Sequence, residues 1–257
     1  MDCNPAAVGQ KAAGFACIHY FCAMQTTADK IIHFNDHLEF TGQLPPGIRI
    51  MNPFREQDGV SAIMQQFYRK FYSDQRRRQM IVGINPGRFG GGVTGIPFTD
   101  SQRLADPCGI VIPGIRTYEP SSVYVYDVIA AYGGPERFYG DFYIAAMSPL
   151  GFTALKPGGK EVNYNYYDSK ALTEAVYDFM VSSLRKQLQF GIDRSVGYCL
   201  GTGKNADFLI RLNEKEKFFD RVVPLEHPRF IMQYRNKRKQ EYIDKYLTAF
   251  SDHPVER

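Results

Sequence analysis

Tryptophan is absent from the sequence, and its five cysteines are scattered at Cys3, Cys17, Cys22, Cys108 and Cys199. No C-x-x-C pair occurs, and no cysteine spacing fits a zinc site. An iron–sulfur cluster needs four grouped thiolates, which are missing here. A dispersed, odd set of thiols points to a reducing compartment, so a cytoplasmic setting is expected, at the nucleoid of a bacterium or in the nucleus of a eukaryote. No apolar run approaches the roughly 18 residues that span a bilayer, and no membrane partner is expected. Nucleotide cradles are poorly served too. The stretch GINPGRFGGG (83–92) fits neither G-x-G-x-x-G nor G-x-x-x-x-G-K-[ST]. In GTGKNA (201–206) the glycine spacing is wrong for a Walker loop, and Asn205 stands where a Ser or Thr would hold magnesium. No G-x-S-x-G elbow marks a serine nucleophile.

What is present is an ordinary globular composition, 44% hydrophobic and 23% charged over 257 residues, with net charge +4 and an unusual load of 17 Tyr and 19 Phe. A mildly basic chain is compatible with a polyanionic partner without requiring one. Residues 1–23 lack both the basic start and the apolar core of a signal peptide. They are expected to be a poorly ordered leader, with residues 24–257 forming a single domain.

Thr26 or Thr27 is placed to cap a helix through about Leu38. His33 and His37 share a face of it, but without H-E-x-x-H or a third ligand the face reads as an ordinary amphipathic one. LPPGIRIMNPF (44–54) reads as a Pro-rich connection. Helical periodicity then runs from about Gly59 to Arg77 and closes in the charge run Arg76, Arg77, Arg78. Further helices are expected over 121–132, capped by Ser121 or Ser122, over 168–190 from Asp168 or Ser169, and from about Lys237 to Phe250. Four short apolar runs separate them: QMIVGI (79–84), FYIAAM (142–147), SVGYCLG (195–201) and RVVPLEH (221–227).

Strands alternating with helices predict a three-layer α/β/α sandwich around a central, mainly parallel four-stranded sheet. Such sheets bind ligands beyond the carboxyl ends of their strands. Here those ends run into NPGRFGGG, SPLGF, GTGKNA and HPRF, which are expected to form one site. Bare backbone in the first loop allows N–H groups to close on a flat ligand. Pro86 and Pro97 stiffen it, Asn85 offers a fixed amide, and Phe89 and Phe98 offer stacking faces.

The segment GINPGRFGGGVTGIPF (83–98) resembles the first motif of the uracil-DNA glycosylase superfamily. Within it, the segment is most similar to the single-strand-selective monofunctional uracil-DNA glycosylases, whose motif reads G-M-N-P-G-P-F-G-x-x-x-T-G-V-P-F. That family's second motif begins H-P-S after the last strand, where this chain has EHPRF (226–230). The order of elements agrees over roughly residues 26–250.

The resemblance implies a monofunctional DNA glycosylase of base excision repair. Such an enzyme flips a deaminated base from DNA and hydrolyses its N-glycosidic bond to leave an abasic site. It implies no metal, no organic cofactor and no lyase step, and the protein is expected to work as a monomer on single- or double-stranded DNA. Asn85 would orient the catalytic water, and His227 would donate to the base carbonyl where leaving-group charge grows. Gly83, Ile84, Gly87, Phe89, Phe98 and Ala146 would surround the base, with Phe98 as its stacking platform. Arg229, Phe230, Ile231 and Met232 would supply a wedge for the emptied stack, and Lys204, Arg235 and Lys237 would meet phosphates.

Two departures matter. The family reads uracil with an Asn in the context N-H-C-P-L, and AMSPL (146–150) puts Ala146 there. Asn163 and Asn165 lie past the strand end and are not expected to replace it. HPRFIMQYR (227–235) also departs from the family's H-P-S-P-R wedge. A relaxed pocket is therefore expected, admitting hypoxanthine and xanthine beside uracil. The alternative is a catalytically weak relative that binds damaged DNA without releasing a base.

Overall fold

Short apolar runs suit the interior of a parallel sheet that helices cover on both faces. Four such runs form the centre of the structure, a computed structural model that describes residues 25–254. The expected leader at 1–23 lies outside the described residues. In chain order the elements are α1 (Thr27–Asp36), β1 (Ile48–Met51), α2 (Pro53–Glu56), α3 (Val60–Tyr72), β2 (Arg78–Gly83), α4 (Gly91–Thr94), α5 (Ser101–Ala105), α6 (Pro120–Tyr132), α7 (Pro135–Asp141) and β3 (Phe142–Ala146). There follow β4 (Gly151–Leu155), β5 (Glu161–Tyr164), α8 (Lys170–Leu188), β6 (Ile192–Leu200), α9 (Lys204–Glu216), β7 (Arg221–Leu225), α10 (Pro228–Tyr234), a 3-10 turn (Asn236–Arg238) and α11 (Lys239–Ser251).

The main sheet has the order β3-β2-β6-β7 and is parallel throughout, as the sequence led us to expect. β2 lies between two neighbours and is buried at every position. Side-chain alternation sends successive residues to opposite layers. Phe142 stacks on Phe250 of α11 with ring centroids 4.5 Å apart, and Tyr143 turns the other way to donate to Gln187 Oε1 of α8 at 2.9 Å.

Local details differ from the sequence reading where a tertiary partner intervenes. Helix α3 stops at Tyr72 rather than Arg77. Arg78 is not part of a solvated charge run. It opens β2 fully buried, gripping both oxygens of Asp74 (2.8 and 3.0 Å), donating to Tyr139 O (2.6 Å) and covering the Tyr72 ring. Helix α6 is preceded by Glu119, not by a serine cap, because Pro120 fits the first helical turn and needs no N–H partner. A 3-10 turn precedes the last helix.

The larger surprise is a second sheet, antiparallel, in the order β1-β4-β5. The Pro-rich connection supplies β1, with Ile48 opposite Ala154, and the SPLGF loop turns at once into β4. The hairpin 156–160 folds β5 back so that Phe152 faces Tyr164. No helix among the described residues is long and apolar enough to cross a membrane.

Replacing Arg78 by Leu would leave the carbonyls of Phe71, Arg76 and Tyr139 without this donor and take from Asp74 its bidentate partner, and we expect a loss of about 3 kcal/mol. Urea unfolding would show it as a lower midpoint at unchanged slope. A loss below about 1 kcal/mol would mean that Arg78 is only a packed stem.

Candidate active site

The carboxyl ends of the parallel strands open into a cavity of about 630 Å³. Residues 83–87 enter it from β2, Ala146 from β3, residues 201–205 from β6, and His227 with the exposed face of α10 from β7. Three of the four expected loops thus converge, while SPLGF leaves into β4 and contributes through Ala146 before it.

Asn85 is held by backbone alone. Its Nδ2 donates to Tyr164 O at 3.2 Å and its Oδ1 accepts from Tyr166 N at 3.1 Å. A carbonyl can only accept and a peptide N–H can only donate, so these partners determine which end of the amide is which. One Nδ2 proton and one Oδ1 lone pair are left over. The loop itself is tied down where Met147 N and Ser148 N donate to Gly83 O and Ile84 O at 2.9 and 3.0 Å. Behind the amide, Tyr166 is fully buried and donates to Asn205 Oδ1 at 2.8 Å, while Asn205 Nδ2 reaches Leu200 O at 3.0 Å. Asn205 is therefore a buried hydrogen-bond node, not a phosphate ligand.

His227 precedes α10, and its Nδ1 accepts the Arg229 N–H at 3.1 Å. That bond puts the proton of the neutral ring on Nε2. Burial, helped by the Arg229 guanidinium, lowers its pKa to about 4, so the imidazole is neutral at physiological pH. Its ring lies 5.7 Å from that of Phe98, inclined by 53°.

Phe98 adopts a positive φ of 51°, uncommon for a bulky residue. Buried bonds around it hold that conformation, with Thr94 Oγ1 donating to Thr99 O at 2.7 Å and Thr99 N to Ile96 O at 3.3 Å. Its ring lies against Gly83, where a Cβ would stand 2.9 Å from Phe98 Cε2. Only glycine lets the ring edge come this close to the strand end.

Other expected site residues separate. Gly87 and Ile84 line the cavity, but Phe89 is 50% exposed outside it with the Arg88 guanidinium 4.7 Å over its ring. Ile231 is fully buried and unavailable as a wedge, because α10 must turn one face to the core. Met232 is partly buried against that core. Arg229 and Phe230 reach the cavity wall, joined by Gln233 and Tyr234, which the sequence reading did not single out. Phe230 and Tyr234 pack at 5.7 Å between ring centroids. Arg235 covers Phe230 at 5.4 Å, Lys237 sits in the 3-10 turn outside the cavity, and Lys204 lies at its edge, 5.8 Å over Tyr167. Among the described residues no carboxylate pairs with Lys204, Arg229, Arg235 or Lys237, whereas Lys239 is bound to Asp127 at 2.5 Å. Asn163 and Asn165, not expected to replace the missing Asn, line the cavity from β5 and the residue just beyond it. Among the described residues no cluster of His, Cys, Asp or Glu is arranged to hold a metal ion.

A clamped amide, an imidazole with its proton on Nε2 and an aromatic ring around one pocket, under a basic rim, suit a flat polar ring. The comparisons agree with that class. The model of the uracil DNA glycosylase superfamily matches residues 70–251. The chain belongs to that superfamily, which makes it a DNA glycosylase of base excision repair with DNA as its substrate. A crystal structure of SMUG2 from Pedobacter heparinus is 56% identical to it, covering 89% of this chain and 98% of the other with a TM-score of 0.87. No curated protein matches the chain.

The His227 ring should stay neutral in NMR titration down to a pKa of about 4, and Arg229→Gln should raise that value. An unfolded histidine takes its proton near ~6.5, so this ring lowers stability progressively as pH falls from there to about 4. Titration near the unperturbed value would contradict the buried, Nε2-protonated ring.

Proposed function

We propose that this glycosylase releases deaminated bases from DNA by hydrolysis alone, with uracil as substrate and hypoxanthine and xanthine admitted beside it. The observation that carries the reading is the clamped Asn85 amide. With one N–H and one lone pair already committed to Tyr164 and Tyr166, the remaining pair can hold a water in a single orientation beneath the sugar.

An amide is a poor base, so the order of events is dissociative. The C1′–N bond breaks first and its electron pair leaves on the base. The Nε2–H of His227 meets the base carbonyl where that charge collects. Water then bonds to C1′ and gives up its proton, which neutralises the departing base. Phe98 stacks on the base during this sequence. Among the described residues the one lysine lining the cavity, Lys204, lies over the Tyr167 ring rather than beside Asn85, which supports a monofunctional reaction.

Ala146 supports the broader base range. It is the buried end of β3, it lines the cavity, and a second small void of about 30 Å³ lies behind it. A bicyclic base needs that room, and the missing amide removes a contact worth perhaps ~1–3 kcal/mol of discrimination. Phe230 and Tyr234, exposed by 38% and 60%, are the apolar groups on α10 placed to enter a vacated base step.

Cleavage of oligonucleotides carrying uracil, hypoxanthine or xanthine, followed by alkali, tests the reading. Asn85→Ala should lower release by about 10²-fold or more, and His227→Ala by ~10²–10³-fold. Binding of damaged DNA without release by the wild-type protein would instead make it a recognition protein, and strict uracil-only activity would sink the relaxed pocket. Phe230→Ala and Tyr234→Ala should each weaken cleavage of double-stranded substrate by about tenfold and of single-stranded substrate far less, since only a duplex must be unstacked. Equal losses on both would remove these rings from the wedge role.

A further inference from the structure

Glu119 is a carboxyl group on the wall of this pocket that the reaction above leaves unused. Its place is built rather than incidental. Its backbone N–H donates to Asp100 Oδ2 at 2.8 Å, and Asp100 is itself fully buried and paired with Arg103. The side chain turns into the glycine loop. A Cβ at Gly90 would stand 1.9 Å from Glu119 Oε2, and one at Gly87 would stand 2.8 Å from Oε1. Any side chain at position 90 would collide with the carboxyl, so the loop is bare there to admit it. Ser122 Oγ donates to Oε2 at 3.1 Å, and no hydrogen bond among the described residues engages Oε1.

Resting on the base-release reading above, we propose that Glu119 is the specificity-determining residue of the pocket, its Oε1 hydroxyl donating a hydrogen bond to the ring carbonyl that deamination creates. Deamination replaces an exocyclic amine with a carbonyl, a donor with an acceptor. With Oε2 accepting from Ser122, Oε1 is the oxygen free to carry the proton of the neutral acid into the pocket. There it matches O4 of uracil or O6 of hypoxanthine and opposes the amine of cytosine or adenine donor to donor. A neutral carboxylic acid thus supplies the donor that an Asn at the end of β3 would otherwise provide and that Ala146 lacks. The ionised carboxylate reverses the preference and repels the anionic base as it leaves.

The surroundings favour the acid form. Burial raises the carboxyl to about 7, opposed by the Ser122 hydrogen bond, reinforced by the Asp100 charge and opposed again by Arg229 on α10. The remaining charged neighbour on the loop, Arg88, lies over Phe89, and His227 across the pocket is neutral. Asn163 also borders Gly87, with Nδ2 3.5 Å from the same Cβ position and Oδ1 taking the Arg88 N–H. Its amide donates at every pH, so pH dependence separates the two residues.

The test is kcat/KM on single-stranded uracil and cytosine oligonucleotides between about pH 5.5 and pH 9, for wild type and the near-isosteric Glu119→Gln. Since the acid is the active form, wild-type activity should hold below about 7 and fall about tenfold per pH unit well above it. Glu119→Gln keeps a donor at all pH values, so it should lie within about threefold of wild type at pH 6 and lose that decline. A glutamine variant that keeps the wild-type profile, or a wild type with no decline up to pH 9, would overturn the proposal while leaving base release intact. Failure of the wild type to release uracil at any pH would overturn the reading on which it rests.

Discussion

Two backbone groups, Tyr164 O and Tyr166 N, hold Asn85, and much of the molecule is arranged to put them there. They stand at the end of β5 and just beyond it, in a sheet that owes its position to β4 and, through β4, to β1. The parallel sheet supplies the amide and the small antiparallel sheet supplies its clamp. The buried bond from Tyr166 to Asn205 joins that clamp to the start of α9 and hence to β6. Rigidity here has a chemical purpose, because an amide that cannot take a proton contributes only through position.

The electrostatics of the pocket follow one rule. Burial shifts its interior groups toward their neutral forms, and cations line its rim. His227 is lowered below the pH range of use and Glu119 is raised into it, both chiefly by burial. Among the described residues Lys204, Arg229, Arg235 and Lys237 have no carboxylate partner around the opening and beside it, a charge pattern suited to a polyanion. Neutral donors inside a dry pocket favour a leaving group that becomes negative only as the bond breaks. The strained backbone of Phe98 belongs to the same design, since it sets the ring edge against Gly83 at the pocket wall.

Helix α9 was not legible in the sequence, but the parallel sheet, the helices α1, α3, α6, α8 and α11 and the two motifs carrying Asn85, Phe98 and His227 were. Each depends on local periodicity or on short runs of adjacent residues. The small sheet was not, because Ile48–Met51 and Gly151–Leu155 are each too short and too proline-flanked to announce a strand. Their pairing joins residues about a hundred positions apart. Glu119 and Tyr234 went unnoticed for a related reason. A single Glu before a proline and a single Tyr on a helix become site residues only through what folds against them. Ile231 and Phe89 show the converse, since the right residue types in the right motif faced away once the helix and loop took their directions.

The sequence by itself thus determined the layered α/β class and the family, and it singled out Asn85 and His227, because these rest on periodicity and contiguous motifs. Only the tertiary structure decided how Asn85 is oriented, which tautomer His227 adopts and which carboxyl enters the pocket. Those properties are set by hydrogen-bond partners and burial supplied by distant segments, which no local pattern encodes.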